Sequence, residues 1–270
     1  NAAASGWPYE NIETLNKATT PTTASTSRTE YTNASFFGRL SYDYMDKYLF
    51  TASVRRDGSS RFGSNTKWGT FPSFSAGWKI NEESFLKNVD WISLLKLRAA
   101  WGTSGNDRIG TSTDMAVKDY PSVALLSTYN TSWNNTLASG VAASNIANNN
   151  LQWESTKSLD FGLDFYAFNN RLQMNFDFYT NKTDNLLFEV PIPYTTGFSS
   201  YTTNIGSIRN SGFEIDITSR NLTGPFGWET NLNLSHNRNK VLDMGSIESF
   251  TVSSYDAKFI TKVGGPISQF

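Results

Sequence analysis

Residues 158–179 read SLDFGLDFYAFNNRLQMNFDFY, and their alternation decides the fold class. Leu159, Phe161, Leu163 and Phe165 fall on one side of an extended chain, and Ser158, Asp160, Gly162 and Asp164 on the other. Successive side chains of a strand point to opposite faces, so a period of two marks a strand with one apolar and one polar face. Asn169-Asn170 supplies a tight turn, because asparagine tolerates the left-handed backbone that a short hairpin requires. Beyond it Leu172, Met174, Phe176 and Phe178 oppose Arg171, Gln173, Asn175 and Asp177. The segment is a hairpin of two half-apolar strands.

The same rhythm runs outward in both directions. Ala34, Phe36, Gly38, Leu40 and Tyr42 share a face opposite Ser35, Arg39, Ser41 and Asp43, with Phe37 the exception. After a turn near Met45-Asp46, Tyr48, Phe50, Ala52 and Val54 alternate with Leu49, Thr51, Ser53 and Arg55. Phe74, Ala76, Trp78 and Ile80 oppose Ser73, Ser75, Gly77 and Lys79, and Leu95, Leu97, Ala99 and Trp101 oppose Lys96, Arg98, Ala100 and Gly102. Phe213, Ile215 and Ile217 oppose Glu214, Asp216 and Thr218, and Trp228, Leu232 and Leu234 oppose Glu229, Asn231, Asn233 and Ser235. These patterns predict about eight strands, each near the ~9–11 residues a tilted strand needs to cross a bilayer. None of these apolar faces carries a charge, which at mid-membrane would cost roughly 2–4 kcal/mol.

The connections alternate in length. Short ones fall at 44–47, 168–170 and 222–227, and long ones at 56–67, 103–156 and 181–207. Residues 81–94 form an intermediate connection, expected as a small helix because Asn81-Glu82-Glu83 can cap and charge an N-terminus before Phe85 and Leu86. Short turns at one end and long loops at the other match an outer-membrane barrel, with turns in the periplasm and loops outside. Tyr42, Tyr44, Tyr48, Phe165, Phe168 and Trp228 gather near strand ends, as an interfacial girdle would. A soluble β-sandwich, such as a secreted adhesin-like binding module, would show the same alternation and is the competing fold. Residues 1–32 and 127–150 are rich in Asn, Thr and Ser with weak periodicity, and read as long surface loops or as partly disordered segments.

Composition narrows the function. The chain has 270 residues, no cysteine, 14% aromatic and 17% charged residues and a net charge of -1. No disulfide framework or thiolate metal site is available. A near-neutral chain lacks the basic footprint that nucleic acid requires. No apolar run is long enough for a transmembrane helix, and no signal peptide opens the chain. The lone histidine, His236, has no neighbouring triad or metal partners, and reads as a surface or lumen residue at the polar end of a strand. Asp160, Asp164, Glu214 and Asp216 share a polar face and resemble a barrel wall more than a glycosidase pair. No catalytic residue, cofactor or metal is expected.

Some residues could touch a ligand. Arg39, Arg55, Lys79, Arg98 and Asp160 lie on polar faces and are candidates for the lumen wall. Arg55, Arg56, Arg61 and Lys67 flank the first long loop, where they can meet an anion or can clamp the loop through carbonyls and Asp57. Trp68, Trp133 and Trp153 lie in or near long loops and can stack on sugar rings or staple the loops together.

Longer motifs carry a family resemblance. YLFTASVRRDGSSRFG at 48–63, WGTFPSFSAGWKINEESFLK at 68–87, LKLRAAWGTSGN at 95–106 and TDNLLFEVPIPYTTGFSSYTTNIGSIRNSGFEI at 183–215 resemble the SusC/RagA family of TonB-linked outer-membrane transporters. VGGPISQF at 263–270 is similar to a motif that the family follows with more barrel, with Ser268 where a glycine is common. The resemblance covers about 31–106 and 151–270. It implies import of oligosaccharides or peptides across the outer membrane of Bacteroidota. It also implies a barrel of roughly 22 strands around a plug, a SusD-like surface lipoprotein as lid, and TonB coupled through an N-terminal segment. The expectation is an all-β, antiparallel section of that single barrel domain spanning 1–270, with the plug, the TonB box and the remaining strands outside this chain. Open edges would then need the rest of the polypeptide.

Overall fold

The structure is a computed structural model that describes residues 2–5, 20–24, 29–109, 119–133, 136–254 and 257–269. The chain divides into two units, Asn1–Tyr31 and Thr32–Phe270. In the first, β1 (Ala2–Ser5) pairs antiparallel with β2 (Thr20–Ala24), with a register shift between Ala3 and Ala4.

The second unit is built on one antiparallel sheet of eight strands. In sheet order these are β3 (Asn33–Tyr44), β4 (Tyr48–Ser59), β5 (Trp68–Lys79), β6 (Ile92–Asn106), β9 (Glu154–Ala167), β10 (Leu172–Asp184), β13 (Ser207–Thr223) and β14 (Gly227–Asp243). Every neighbour in the sheet is the next long strand in sequence, so the topology is an uncrossed meander. Four segments interrupt it only as hairpins: β7 (Leu126–Trp133) with β8 (Thr136–Ala143), and β11 (Leu187–Pro191) with β12 (Ser200–Asn204). A further hairpin, β15 (Ser249–Ser254) with β16 (Ala257–Lys262), follows β14.

Register joins the eight apolar faces into one surface. Tyr42 pairs with Phe50, Phe50 with Ala76, Ala76 with Ala99 and Ala99 with Phe161. The row continues through Phe178, Phe213 and His236. This surface is uncovered: Phe36 is 67% and Leu40 70% exposed, and Phe74, Phe176, Leu232 and Leu234 are also exposed. A β-sandwich would bury such a face against a second sheet about 10 Å away. Among the described residues no second sheet packs there, and the sandwich alternative is set aside.

The turns explain the hairpins. Met45 and Asp46, and then Phe168, Asn169 and Asn170, hold positive φ between 54° and 62°. That backbone twist matches the twist of flanking strands. The intermediate connection departs from expectation. It is a three-residue 3-10 helix, Ile80–Glu82, with no side-chain cap, and no α-helix follows. The Asn81 carboxamide oxygen instead accepts from the Leu95 N–H at 3.1 Å, tying the connection to β6. Residues 126–143, expected as loop, pair into the β7–β8 hairpin, whose ladder is made of backbone bonds and needs no apolar period. β13 and β14 run 17 residues each, well past their apolar stretches, because the ladder continues where the faces turn polar.

Candidate functional site

The polar face is as continuous as the apolar one. One of its rows runs through Leu49, Gly77, Arg98, Gly162, Asp177, Glu214 and Ser235. Next to it lie Thr51, Ser75, Ala100, Asp160, Tyr179 and Gly212, and then Arg39, Ser53, Ser73, Gly102, Ser158, Asn181 and Asn210. The alternation that sends leucines and phenylalanines to one side sends these residues to the other.

At its centre is an ion-pair cluster. Arg98 Nε donates to both carboxylate oxygens of Asp164 at 3.0 Å, and its Nη2 reaches Asp177 at 2.8 Å. Lys96 approaches Asp164 at 4.0 Å. Gly162 lies between, and a Cβ there would collide with the guanidinium. Asp160 stands one row away in register with Ala100 and Tyr179, half-buried. The arrangement sets two cations, Lys96 and Arg98, against two carboxylates, Asp164 and Asp177. It holds no nucleophile with a base and, among the described residues, no group of three side chains able to bind a metal ion.

The other candidates separate. Arg39 is exposed on edge strand β3 opposite Ser53. Arg55 donates to Asp57 at 2.7 Å and to Ser35 at 3.2 Å, so its charge is already matched by the adjacent carboxylate. Lys79 pairs with Asp46 at 2.6 Å beside the β3–β4 turn. Trp68 lies on the apolar side of the sheet, 6.0 Å from Phe36 with Arg56 5.5 Å above its ring. Trp153 donates from Nε1 to the Lys67 carbonyl at 3.0 Å and packs on Phe62 and Phe71. The side chain of Trp133 lies outside the described residues. The apolar register includes His236, 5.7 Å from the Phe213 ring, because its even number in β14 puts it with Leu232 and Leu234. Of the two expected places for His236, surface or lumen, its exposed side chain on the apolar side fits the surface.

Two further constellations were not legible in sequence. Phe62, Ile109 and Leu151 are buried together under Trp153 and Leu187 where the long loops meet the sheet. Beside them Arg61 pairs with Asp107 at 3.2 Å and Asp119 at 3.1 Å, and the Ser59 hydroxyl donates to Asp107 at 2.7 Å. These partners are separated by dozens of residues, and no spacing marks them. At the opposite end Glu83 accepts from Tyr48 Oη at 2.6 Å, Trp78 Nε1 at 3.1 Å and Lys47 Nζ at 3.2 Å. The Tyr48 hydroxyl, then Trp78 and Lys47, hold the Glu83 carboxyl below the usual carboxylate range.

Known proteins resemble this chain in sequence and in fold. The family model described as TonB dependent receptor-like, beta-barrel matches residues 3–267. TonB-dependent receptor P39 of Formosa agariphila is 42% identical over 92% of this chain and 22% of its own length. TonB-dependent receptor SusC of Bacteroides thetaiotaomicron is 37% identical over 89% of this chain and 23% of its own. The chain thus spans less than a quarter of these relatives. The RagAB peptide importer superposes with a TM-score of 0.80 at 29% identity over 96% of this chain and 27% of that chain. The FrpB iron transporter from Neisseria meningitidis, at 14% identity and a TM-score of 0.52, shares the fold alone. A match over almost the whole chain, together with an eight-stranded meander apolar on one face and polar on the other, places this chain in the TonB-dependent receptor β-barrel family, beside SusC and RagA.

Proposed function

We propose that this chain is a section of barrel wall in an outer-membrane importer of large nutrients, oligosaccharides or peptides, energised through TonB. The carrying observation is the two-sided sheet. One face is apolar across eight register-matched strands, and the other carries charged residues, with an ion-pair cluster at Arg98, Asp164 and Asp177. A lipid-facing wall must exclude charge, and a lumen wall can hold it. The likeness to SusC and to the RagAB peptide importer supports the transport reading and, with it, a SusD-like lipoprotein lid over the long-loop end. In this reading the plug and the TonB-contacting segment belong to parts of the polypeptide outside 1–270.

Arg39 and Asp160, like Glu214 and Asp216, make no side-chain hydrogen bond or ion pair among the described residues, which leaves these polar-face charges able to meet a plug or a passing ligand. Arg55 and Arg98 act first as wall residues, Trp153 as a loop staple, and Trp68 as a girdle aromatic. Purifying the full-length protein from outer membranes tests the proposal. Co-isolation with a surface lipoprotein, and loss of growth on an oligosaccharide or a peptide mixture when the gene is deleted, is the expected result. A product that stays soluble and monodisperse without detergent would overturn it.

A further inference from the structure

Beyond the last apolar row, the lipid side of the sheet turns basic. Lys157 pairs in register with Lys182, Lys182 with Arg209, and Arg209 with Lys240. Like charges directly opposite one another on adjacent strands repel, yet here four cations lie side by side across β9, β10, β13 and β14. Arg238, opposite Ser211, adds a fifth from the row below. All five continue the apolar register: Lys157 follows Leu159, Lys182 follows Phe178 and Thr180, and Arg209 follows Phe213 and Ser211.

Little on the protein neutralises them. Asp184 meets Lys182 at 2.7 Å and Lys157 at 3.6 Å, while those two side chains remain 42% and 57% exposed. Asp243, in the next row, accepts from the Gly245 N–H. Arg209, Arg238 and Lys240 are exposed and make no ion pair among the described residues. The patch is local. On β3, β4 and β5 the matching row holds Gly38, Val54 and Pro72, with Thr103 of β6 bonded to Pro72, and none of these is charged.

Position says what the patch meets. The row lies about 13 Å along the strands beyond the Phe161–Phe178–Phe213 row, at ~3.3 Å per residue. It stands at the long-loop end, where β10 leads to β11 and β12 leads to β13. On the reading under Proposed function, this is where acyl chains give way to outer-leaflet headgroups. Long basic side chains there extend their charge towards the headgroup layer. Four strands at ~4.8 Å spacing span roughly 14 Å, wider than one phosphate.

We propose that Lys157, Lys182, Arg209, Arg238 and Lys240 form a binding site on the outside of the barrel for the phosphorylated headgroup of an outer-leaflet lipid. The repulsion built into the row is relieved by that lipid's phosphates.

The test uses the full-length receptor in neutral detergent, with bound lipid counted by native mass spectrometry. The probes are a bis-phosphorylated glycolipid, its dephosphorylated form and inorganic phosphate. Wild type is expected to prefer the phosphorylated glycolipid by at least about tenfold, and the variant K157Q/R209Q/K240Q to lose that preference. These exposed substitutions touch no proposed lumen residue. Equal retention by the variant and wild type would overturn the site, as would inorganic phosphate binding as tightly as the lipid. A fluorophore at Leu232→Cys, on the apolar face, separates the two failures. Quenching by brominated acyl chains without lipid preference sinks only the headgroup site, whereas no quenching sinks the lipid-facing assignment and the site with it.

Discussion

The guanidinium of Arg98 occupies the space that Gly162 leaves by having no side chain. A Cβ on Gly162 would overlap Arg98 Cζ and stand 2.6 Å from Asp177 Oδ1. The ion-pair cluster of the polar face therefore depends on a glycine as much as on its charges.

Gly162→Ala should destabilise the barrel by about 1–3 kcal/mol through overpacking. Arg98→Met, which removes charged hydrogen bonds to two carboxylates, should cost about 1.5–3 kcal/mol. Because both changes strike one cluster, the double variant should cost less than the sum. Urea-induced unfolding in lipid vesicles measures all three, and strict additivity would show that Gly162 and Arg98 act independently.

Phe176 and Asn175 are neighbours on β10 with opposite faces, Phe176 in register with Leu163 and Ile215, and Asn175 with Asp164 and Asp216. Phe176→Arg should cost roughly 2–4 kcal/mol in a bilayer, since it places charge in the lipid band. Asn175→Arg, facing two carboxylates, should stay within about 1 kcal/mol of wild type. Comparable losses at both positions would contradict the assignment of faces.

Glu83 should make the short-turn end acid-sensitive. Its carboxyl is held below its usual value by Tyr48, then Trp78 and Lys47. A depressed carboxylate contributes stability that is complete above its unfolded pKa, about 4.3, and is lost as pH falls through the lower folded value. Melting temperature should fall through that acid window in wild type, and less steeply in Glu83→Gln. Parallel acid slopes would remove Glu83 as the cause.

Trp153 closes the loop cluster over Phe62 and Phe71 while bonding Lys67. Trp153→Ala should cost about 2–4 kcal/mol locally. The expected readout is faster proteolysis within 60–67, with the eight-stranded sheet still resistant. Unchanged cleavage would show that the loop is held by Arg61, Asp107 and Asp119 without the tryptophan.

The two faces of the sheet and its short turns were readable along the chain, because period two and tight-turn residues are local properties. Leu159 to Phe178 announced a hairpin from sequence alone, and the backbone at Asn169 and Asn170 has the positive φ it required. The same locality set the ends apart, with short turns and long loops alternating. What only the tertiary structure decided depends on residues far apart in the chain. Arg98 was a polar-face residue until register brought Asp164 and Asp177 to it. Trp68 read as lying in or near a long loop, and strand parity carried it to the apolar side with Phe36 and Arg56. Asn81 looked like a helix cap and instead ties a connection to β6, because its partner, the Leu95 N–H, is supplied by a strand end. Lys157, Lys182, Arg209 and Lys240 are scattered over more than eighty residues of sequence, and cross-strand pairing alone lines them up. Alternation is written in neighbouring residues, whereas register is a property of strand pairs.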